Sequence, residues 1–344
     1  MDAFFESVSG MTTTGSTVFS GLDTLPKGLL LWRGLLQWLG GIGIIVVAMV
    51  FLPQLRVGGM QIFRAEAFDT MGKILPQATA ISFQISVIYV GITMACAMAY
   101  LGVGMNTFDA TVHALTTVST GGFSNYDASF AMFSGNAEYI ASFFMILAAL
   151  PFVRYVQMVN GNSFAIFRDS QVHAFFILIF VLIVVTTFSL LSQFPHHWEQ
   201  AMREALFNIV SILSGTGYAS VDYMKWGGFL IGLFFFIGLI GGCAGSTACS
   251  VKIFRYQIMI ESIRVQLKKI RSPHGVFIPH FQGKAISDSV MNAVMAFFVI
   301  FFVSLGVLAI LLGLTGLDFI TAVSGAATAI ANIGPGLGDE IGPA

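Results

Sequence analysis

Four short apolar segments of this chain each end in a cluster of small polar residues, and the clusters recur about every 100 residues. They come into phase when they are aligned on Gly15, Gly121, Gly217 and Gly334. Each preceding segment offers only about three turns of helix, too few to cross about 30 Å of hydrocarbon. The spacing predicts a fourfold repeat in which a short helix and its cluster lie between two longer helices.

The longer segments require a membrane. Of the 344 residues, 56% are hydrophobic and 10% are charged, which leaves too little polar surface to cover a soluble core. We predict an all-α membrane protein with spans at 28–52, 78–102, 136–159, 172–193, 227–258 and 286–314. The short segments between them are predicted at 3–13, 108–119, 199–213 and 318–331.

Charge predicts the orientation. If each short segment returns to the side it entered from, the loops after residues 52, 159 and 258 share one side, where most of the basic residues lie. The positive-inside rule makes that side cytoplasmic, so the glycine clusters face outward from a multi-pass protein of the cell (inner) membrane. Acidic residues of the outer loops are expected to concentrate cations at this mouth; among them are Glu6, Asp109, Asp127, Glu138, Glu204, Asp318 and Glu340. Asp109, Glu204 and Asp318 are expected to precede their short helices and to cap them as well.

Glycine clusters at the ends of short helices suit an ion filter. A dehydrated cation needs several oxygen ligands, and glycine permits the torsions that aim backbone carbonyls at a common axis. Each short helix would also point its partly negative C-terminal end at the ion. One such cluster is more often a helix-packing device, but four in phase favour the filter.

The motifs carry a family resemblance. The stretches are FESVSGMTTTG at 5–15, WRGLLQWLGG at 32–41, LRVGGMQ at 55–61 and ANIGPGLG at 331–338. They closely resemble the membrane subunits of Trk-type potassium uptake systems, the TrkH family of the Trk/Ktr/HKT superfamily. The resemblance implies four pseudo-repeats of helix, pore loop and helix around one potassium pathway. It also implies a homodimer, potassium symport and a cytosolic, nucleotide-binding, TrkA-like regulatory subunit.

The same resemblance implies which residues form the filter. They are Thr13, Thr14, Gly15, Ser119, Thr120, Gly121, Gly215, Thr216, Gly217, Asn332, Ile333 and Gly334. The repeats are expected at 1–60, 61–165, 166–270 and 271–344, with the first lacking its leading helix and the last its trailing one. The chain is therefore expected to be a fragment.

A gate is predicted in the fifth span, which is too long for one straight crossing. Its middle, 238–250, is a run of small residues with low helix propensity, so it can unwind across a water-filled cavity. In the family resembled, the corresponding segment is a mobile loop beneath the filter. The resemblance implies a gate formed by Gly241, Gly242, Cys243, Ala244, Gly245, Ser246 and Thr247. A tight helix-packing face is the alternative.

A basic stretch follows the gate and is expected to bind anionic lipid headgroups, the regulatory subunit, or both. Its residues are Lys252, Arg255, Arg264, Lys268, Lys269 and Arg271. No enzymatic activity, cofactor or nucleic-acid partner is expected, and potassium is the transported substrate. The rival hypotheses are a secondary transporter of another cation or small solute, built on broken helices, and an intramembrane hydrolase.

Overall fold

The structure is a computed structural model that describes residues 1–50, 74–162, 164–193, 197–338 and 340–342. Within those ranges the chain forms twelve α-helices. They are α1 (Asp2–Met11), α2 (Lys27–Val50), α3 (Ile74–Gly102), α4 (Thr107–Val118), α5 (Asn136–Ala149), α6 (Phe152–Val159), α7 (Ser170–Gln193), α8 (Trp198–Ser214), α9 (Gly228–Gly238), α10 (Ile253–Arg271), α11 (Asp288–Leu314) and α12 (Phe319–Ala331). A two-stranded hairpin, β1 (His280–Phe281) and β2 (Lys284–Ala285), connects α10 to α11.

The four short segments predicted from sequence are the helices α1, α4, α8 and α12, and we call them the pore helices. Their ends lie within two residues of the predicted bounds. Each stops where its small-residue cluster begins, because glycine and the small hydroxyl residues favour the non-helical torsions that follow.

Six spans were predicted, and two of them are broken. In the described part of the chain, α2, α3, α7 and α11 are long and apolar enough to cross a membrane. The predicted span 136–159 is instead the pair α5 and α6, bent by 86°. Pro151 lies at this break, where its ring and missing N–H prevent the helix from continuing. The predicted span 227–258 is interrupted between α9 and α10, as the run of small residues indicated.

Packing follows a repeated pattern. Helices α3, α7 and α11 each pack on the pore helix that follows them. Helix α2 contacts the pore helix before it, α1, and the next one, α4. In the same way, α5 contacts α4 and α8, and α9 contacts α8 and α12. Each of these helices therefore lies between two successive pore helices, which is the predicted pseudo-fourfold arrangement.

The repeat boundaries stay predictions. The boundary at 60/61 lies outside the described residues, as do Arg56, Arg64 and Lys73 of the predicted inner loops. The boundary at 165/166 falls in the connection between α6 and α7, and the one at 270/271 falls at the last residue of α10.

Candidate functional site: four filter segments and a loop beneath them

Each pore helix is followed by a short extended segment, here called a filter segment, which starts with a left-handed residue. The four residues are Thr13, Thr120, Gly215 and Asn332, with φ of 58°, 52°, 77° and 60°. This conformation costs about 1 kcal/mol or more for a residue with a Cβ, so its recurrence at the same point of all four repeats indicates a shared backbone design.

Hydrogen bonds fix the register of these segments. In the first, second and fourth segments, the N–H of the residue after the left-handed one reaches back five residues, from Thr14 to the Ser9 carbonyl and from Gly121 to the Thr116 carbonyl. The bond from Ile333 to the Thr328 carbonyl repeats it. Thr14 and Gly121 are therefore equivalent positions.

This register corrects one alignment made from the sequence. The residue equivalent to Gly15 and Gly217 is Gly122, not Gly121, because φ is 85°, 79° and 76° at Gly15, Gly217 and Gly122. Ser119, which was predicted within the filter, is equivalent to Thr12 at the helix end. The Ser119 carbonyl accepts a hydrogen bond from the Thr120 hydroxyl at 2.7 Å, and the Thr12 carbonyl accepts one from the Thr13 hydroxyl at 2.6 Å.

Two neighbouring glycines made the second cluster ambiguous. A signal for the right choice was present, since an aromatic residue directly follows the filter glycine in two repeats. Phe123 follows Gly122, and Tyr218 follows Gly217. Both aromatic side chains are buried.

The filter glycines bring neighbouring segments into backbone contact. A Cβ added to Gly15 would lie 2.1 Å from the Gly121 carbonyl oxygen. One added to Gly122 would lie 1.8 Å from the Thr216 carbonyl oxygen. No side chain larger than hydrogen fits at these distances, so the first segment adjoins the second and the second adjoins the third.

The remaining two contacts close the ring. A Cβ on Gly217 would lie 3.1 Å from the backbone nitrogen of Gly334, and one on Gly334 would lie 3.2 Å from the Thr14 carbonyl oxygen. The third segment thus adjoins the fourth, and the fourth adjoins the first. Four segments far apart in sequence meet in cyclic order around one axis.

Several filter carbonyls are available as ligands. Within the described residues, the carbonyl oxygens of Thr14, Thr216 and Ile333 accept no hydrogen bond, although Thr216 and Ile333 are buried. Unpaired buried carbonyls are costly unless a ligand satisfies them. Their partial negative charge suits a cation.

A cavity of about 830 Å³ opens onto the filter. Gly15, Gly122, Gly217 and Gly334, one from each segment, contribute to its lining. Acidic groups also line it, from Asp127 and Glu340. The cavity is large enough for a hydrated monovalent cation.

Other acidic residues predicted for this mouth are buried instead: Glu6, Asp109, Glu138 and Glu204. Glu6 pairs with Arg33 at 3.1 Å, and Glu138 pairs with Arg203. The expected role of attracting cations from solution is therefore wrong for Glu6 and Glu138, whose charges are neutralised by arginines. For the enclosed Asp109 and Glu204 it stays a prediction.

Asp109 accepts hydrogen bonds from Asn125 and Tyr126, both at 2.7 Å. Burial, together with this bond, raises the pKa of Tyr126 to about 12. The N-cap of α4 is Asn106, not Asp109. Glu204 lies within α8, so among the three predicted caps only Asp318 caps its helix, through Ile320 and Thr321 N–H groups.

The predicted gate is a non-helical loop, residues 239–252, which we call the gate loop. Its own ends are joined, because Gly241 N–H donates to the Val251 carbonyl at 2.9 Å. A Cβ on Gly241 would lie 1.8 Å from the Cys249 carbonyl oxygen. Glycine is therefore required for the loop to fold back on itself, which favours a loop over the alternative of a helix-packing face.

One side of the gate loop covers the C-terminal ends of two pore helices. Cys249 N–H donates to the Ser214 carbonyl at 3.2 Å, and Ser250 N–H donates to the Ala331 carbonyl at 2.9 Å. Asn332 donates to the Cys249 sulfur at 3.2 Å. The loop therefore lies directly against the filter.

The other side of the gate loop fills the break between α5 and α6. The Cys243 N–H donates to the Ala149 carbonyl at 3.0 Å, and the Phe152 N–H donates to the Gly245 carbonyl at 2.9 Å. Thr247 donates to the Ala148 carbonyl through both its N–H and its hydroxyl. The break in the second repeat and the loop of the third thus satisfy each other's backbone groups.

The basic stretch divides into two parts. Lys252 donates to the Ala248 carbonyl of the gate loop, and Arg255 is buried with its guanidinium 3.9 Å from the centre of the Phe297 ring. The Arg255 guanidinium is thus enclosed by protein, whereas Lys252 is half-buried; lipid or partner binding by this part of the stretch stays a prediction. The remaining four are exposed and stay candidates: Arg264, Lys268, Lys269 and Arg271.

Transition-metal chemistry has no support in the described part of the chain, where no group of three His, Cys, Asp or Glu side chains could hold a metal ion. The ligands on offer at the filter are backbone oxygens, which suit hard monovalent cations.

Comparison with known proteins agrees with this geometry. The profile of the TrkH family, described as cation transport protein, matches residues 1–343. The chain is 44% identical to the Trk system potassium uptake protein TrkI of Halomonas elongata, over 100% of the chain and 70% of that protein. It is 36% identical to the Trk system potassium uptake protein TrkH of Escherichia coli, over 98% of the chain and 71% of that protein.

A solved structure shares the fold. The crystal structure of the potassium transporter TrkH from Vibrio parahaemolyticus matches with a TM-score of 0.89 and 34% identity, covering 98% of this chain and 70% of that one. With the family profile and both relatives in agreement, this chain belongs to the TrkH family of cation transport proteins.

Proposed function

We propose that this chain forms the potassium pathway of a potassium uptake transporter. Potassium enters the outer cavity, exchanges its water for backbone oxygens in the filter, and passes the gate loop when that loop moves aside. The observation that carries the proposal is the closed ring of filter segments, in which glycines allow backbone contact between each segment and the next. The relatives named as potassium uptake proteins support it.

Potassium selectivity follows from the backbone ligands in this proposal. The ligands proposed are the carbonyl oxygens at the two equivalent positions before each filter glycine: Thr13, Thr14, Thr120, Gly121, Gly215, Thr216, Asn332 and Ile333. Oxygens held in a rigid ring replace the hydration shell well for an ion of one size and less well for a smaller or larger ion.

The gate loop is proposed to close this pathway. Cys249 packs against the third segment, where a Cβ on Gly215 would lie 2.7 Å from the Cys249 Cβ, and it also contacts Asn332 of the fourth segment. An ion leaving the filter on this side would meet the loop. Conduction therefore requires the loop to move.

The protein is further proposed to lie in the cell inner membrane with the cavity outward, assembled as a homodimer with a TrkA-like regulatory subunit and working as a symporter. The exposed basic end of α10 supports the orientation, because basic residues stay on the cytoplasmic side. The same surface would bind the regulatory subunit or anionic lipid. Potassium is the substrate, with no cofactor required.

The test is Gly122→Ala in the full-length transporter, with Gly91→Ala as the control. A Cβ on Gly122 would collide with the Thr216 carbonyl, whereas Gly91 has nothing within 4 Å. We expect rubidium uptake by potassium-uptake-deficient cells to fall at least about fivefold in the first variant, since the left-handed torsion alone costs about 1–2 kcal/mol. Normal uptake with unchanged preference for potassium over sodium would refute the filter assignment.

A further inference from the structure

Gln37 lies on α2, outside every filter segment, and is fully buried. Its carboxamide makes two hydrogen bonds to the second filter segment. Nε2 donates to the Gly121 carbonyl at 2.7 Å, and Oε1 accepts from the Phe123 N–H at 3.0 Å. These two groups flank Gly122, so one side chain holds the filter glycine from both sides.

This contact makes the second segment different from the other three. Gly121 is equivalent to Thr14, Thr216 and Ile333, whose carbonyls accept no hydrogen bond among the described residues. Among the described residues, a side chain hydrogen-bonds to the carbonyl at this position in the second segment only. The Gly121 oxygen also points toward Gly15 of the first segment, so its direction affects the contact between two segments.

Arg33, one helical turn before Gln37, supports the same segment from the same face of α2. Its guanidinium donates to the Ser124 carbonyl at 3.2 Å and lies 4.1 Å from the centre of the Phe123 ring. It also pairs with Glu6 of the first pore helix. The segment is therefore anchored on its outer side independently of Gln37, and loss of Gln37 would leave it attached.

There is no free space between the carboxamide and the filter backbone. A Cβ on Gly121 would lie 2.4 Å from Cδ of Gln37, and the three nearest atoms all belong to that side chain. Gly121 has no positive φ, so alanine is compatible with its backbone. The nearest obstacles to alanine at this position are therefore atoms of Gln37.

We propose that Gln37 is a positioning residue that sets the potassium over sodium preference of the filter by fixing the Gly121 carbonyl. This inference rests on the proposed function. Without the carboxamide, the carbonyl rotates and the second segment adapts to the smaller sodium ion. The side chain touches no ion, and its effect acts through the backbone it holds.

The experiment measures rubidium uptake by the full-length transporter in potassium-uptake-deficient cells, with potassium or sodium as competitor. Gln37→Met keeps the length of the side chain and removes both hydrogen bonds. We expect the potassium over sodium preference to fall about 5- to 30-fold, the factor associated with one or two lost hydrogen bonds. Gln84→Met on α3 is the matched control, and its preference stays that of the wild type.

A second pair of variants keeps the proposal testable if Gln37→Met is absent from the membrane. Gly121→Ala lowers the preference when Gln37 is present, and adds no further loss in a Gln37→Ala background, where the colliding atoms are gone. Unchanged preference in Gln37→Met at normal abundance, or additive losses in the double variant, would overturn the proposal. Absence of potassium uptake by the wild type would instead refute the proposed function.

Discussion

Releasing the gate loop from its anchor on α7 is expected to increase ion flow. The Ala244 N–H of the loop donates to Oε1 of Gln171 at 2.9 Å, and both residues are buried. Gln171 is itself held, since its N–H donates to Asp169 at 2.9 Å, and Asp169 pairs with Arg154 at 2.7 Å. Among the hydrogen bonds that hold the closed loop, this one comes from a side-chain oxygen in a fixed position, so a single substitution can remove it.

The size of the effect follows from this single bond. Gln171→Met removes the acceptor and leaves a buried N–H unpaired in the closed loop, at a cost of about 1–3 kcal/mol. A loop that opens escapes this cost. The equilibrium between closed and open loop therefore shifts toward open by about 5- to 150-fold.

The assay is rubidium flux into liposomes that contain the purified full-length transporter without its regulatory subunit. Basal flux is expected to rise by a factor in that range, while the preference for potassium over sodium stays unchanged because the filter is untouched. Gln266→Met, the same change at an exposed position of α10, serves as control. Unaltered or lower flux in a correctly folded Gln171→Met protein would show that this bond does not keep the loop closed.

Two further predictions concern stability. Arg33→Met leaves the buried Glu6 carboxylate without its counter-ion and is expected to lower the free energy of unfolding by about 3–5 kcal/mol. Thermal unfolding in detergent measures this loss. The double variant with Glu6→Gln should recover part of it. Hydrogen bonds from Thr321 and Ile320 lower the pKa of Asp318 below 3.8. The ionised cap therefore stabilises α12 at pH values above the ordinary carboxyl pKa, and this contribution is lost as the pH falls through the lowered pKa. Asp318→Ala should accordingly reduce the melting temperature at pH 7, and the reduction should shrink as the pH is lowered.

Local signals in the sequence were sufficient for much of the fold. The pore helices were predicted within two residues because their lengths and the small residues after them are properties of neighbouring positions. The interruption of the span after α9 was predicted for the same reason. The bend at Pro151 was also a local signal, but the apolar run 136–159 obscured it.

The register of the second filter segment shows where local reasoning fails. Gly121 and Gly122 are chemically identical, and apart from the aromatic residue that follows Gly122, it is their surroundings that distinguish them. Gly122 cannot carry a Cβ because the Thr216 carbonyl occupies that space. Gly121 cannot carry one without displacing the Gln37 side chain. Both neighbours come from distant parts of the chain.

By itself, the sequence determined that this chain enters a membrane, that it repeats four times, and that each repeat offers a glycine-containing break after a short helix. These properties depend on hydropathy, length and backbone freedom, which act over a few residues. Only the tertiary structure decided that the four breaks form one ring, that Gln37 holds one of them, and that the gate loop fills the break at Pro151. The physical reason is that hydrogen bonds and close backbone contacts between distant segments depend on how the helices pack.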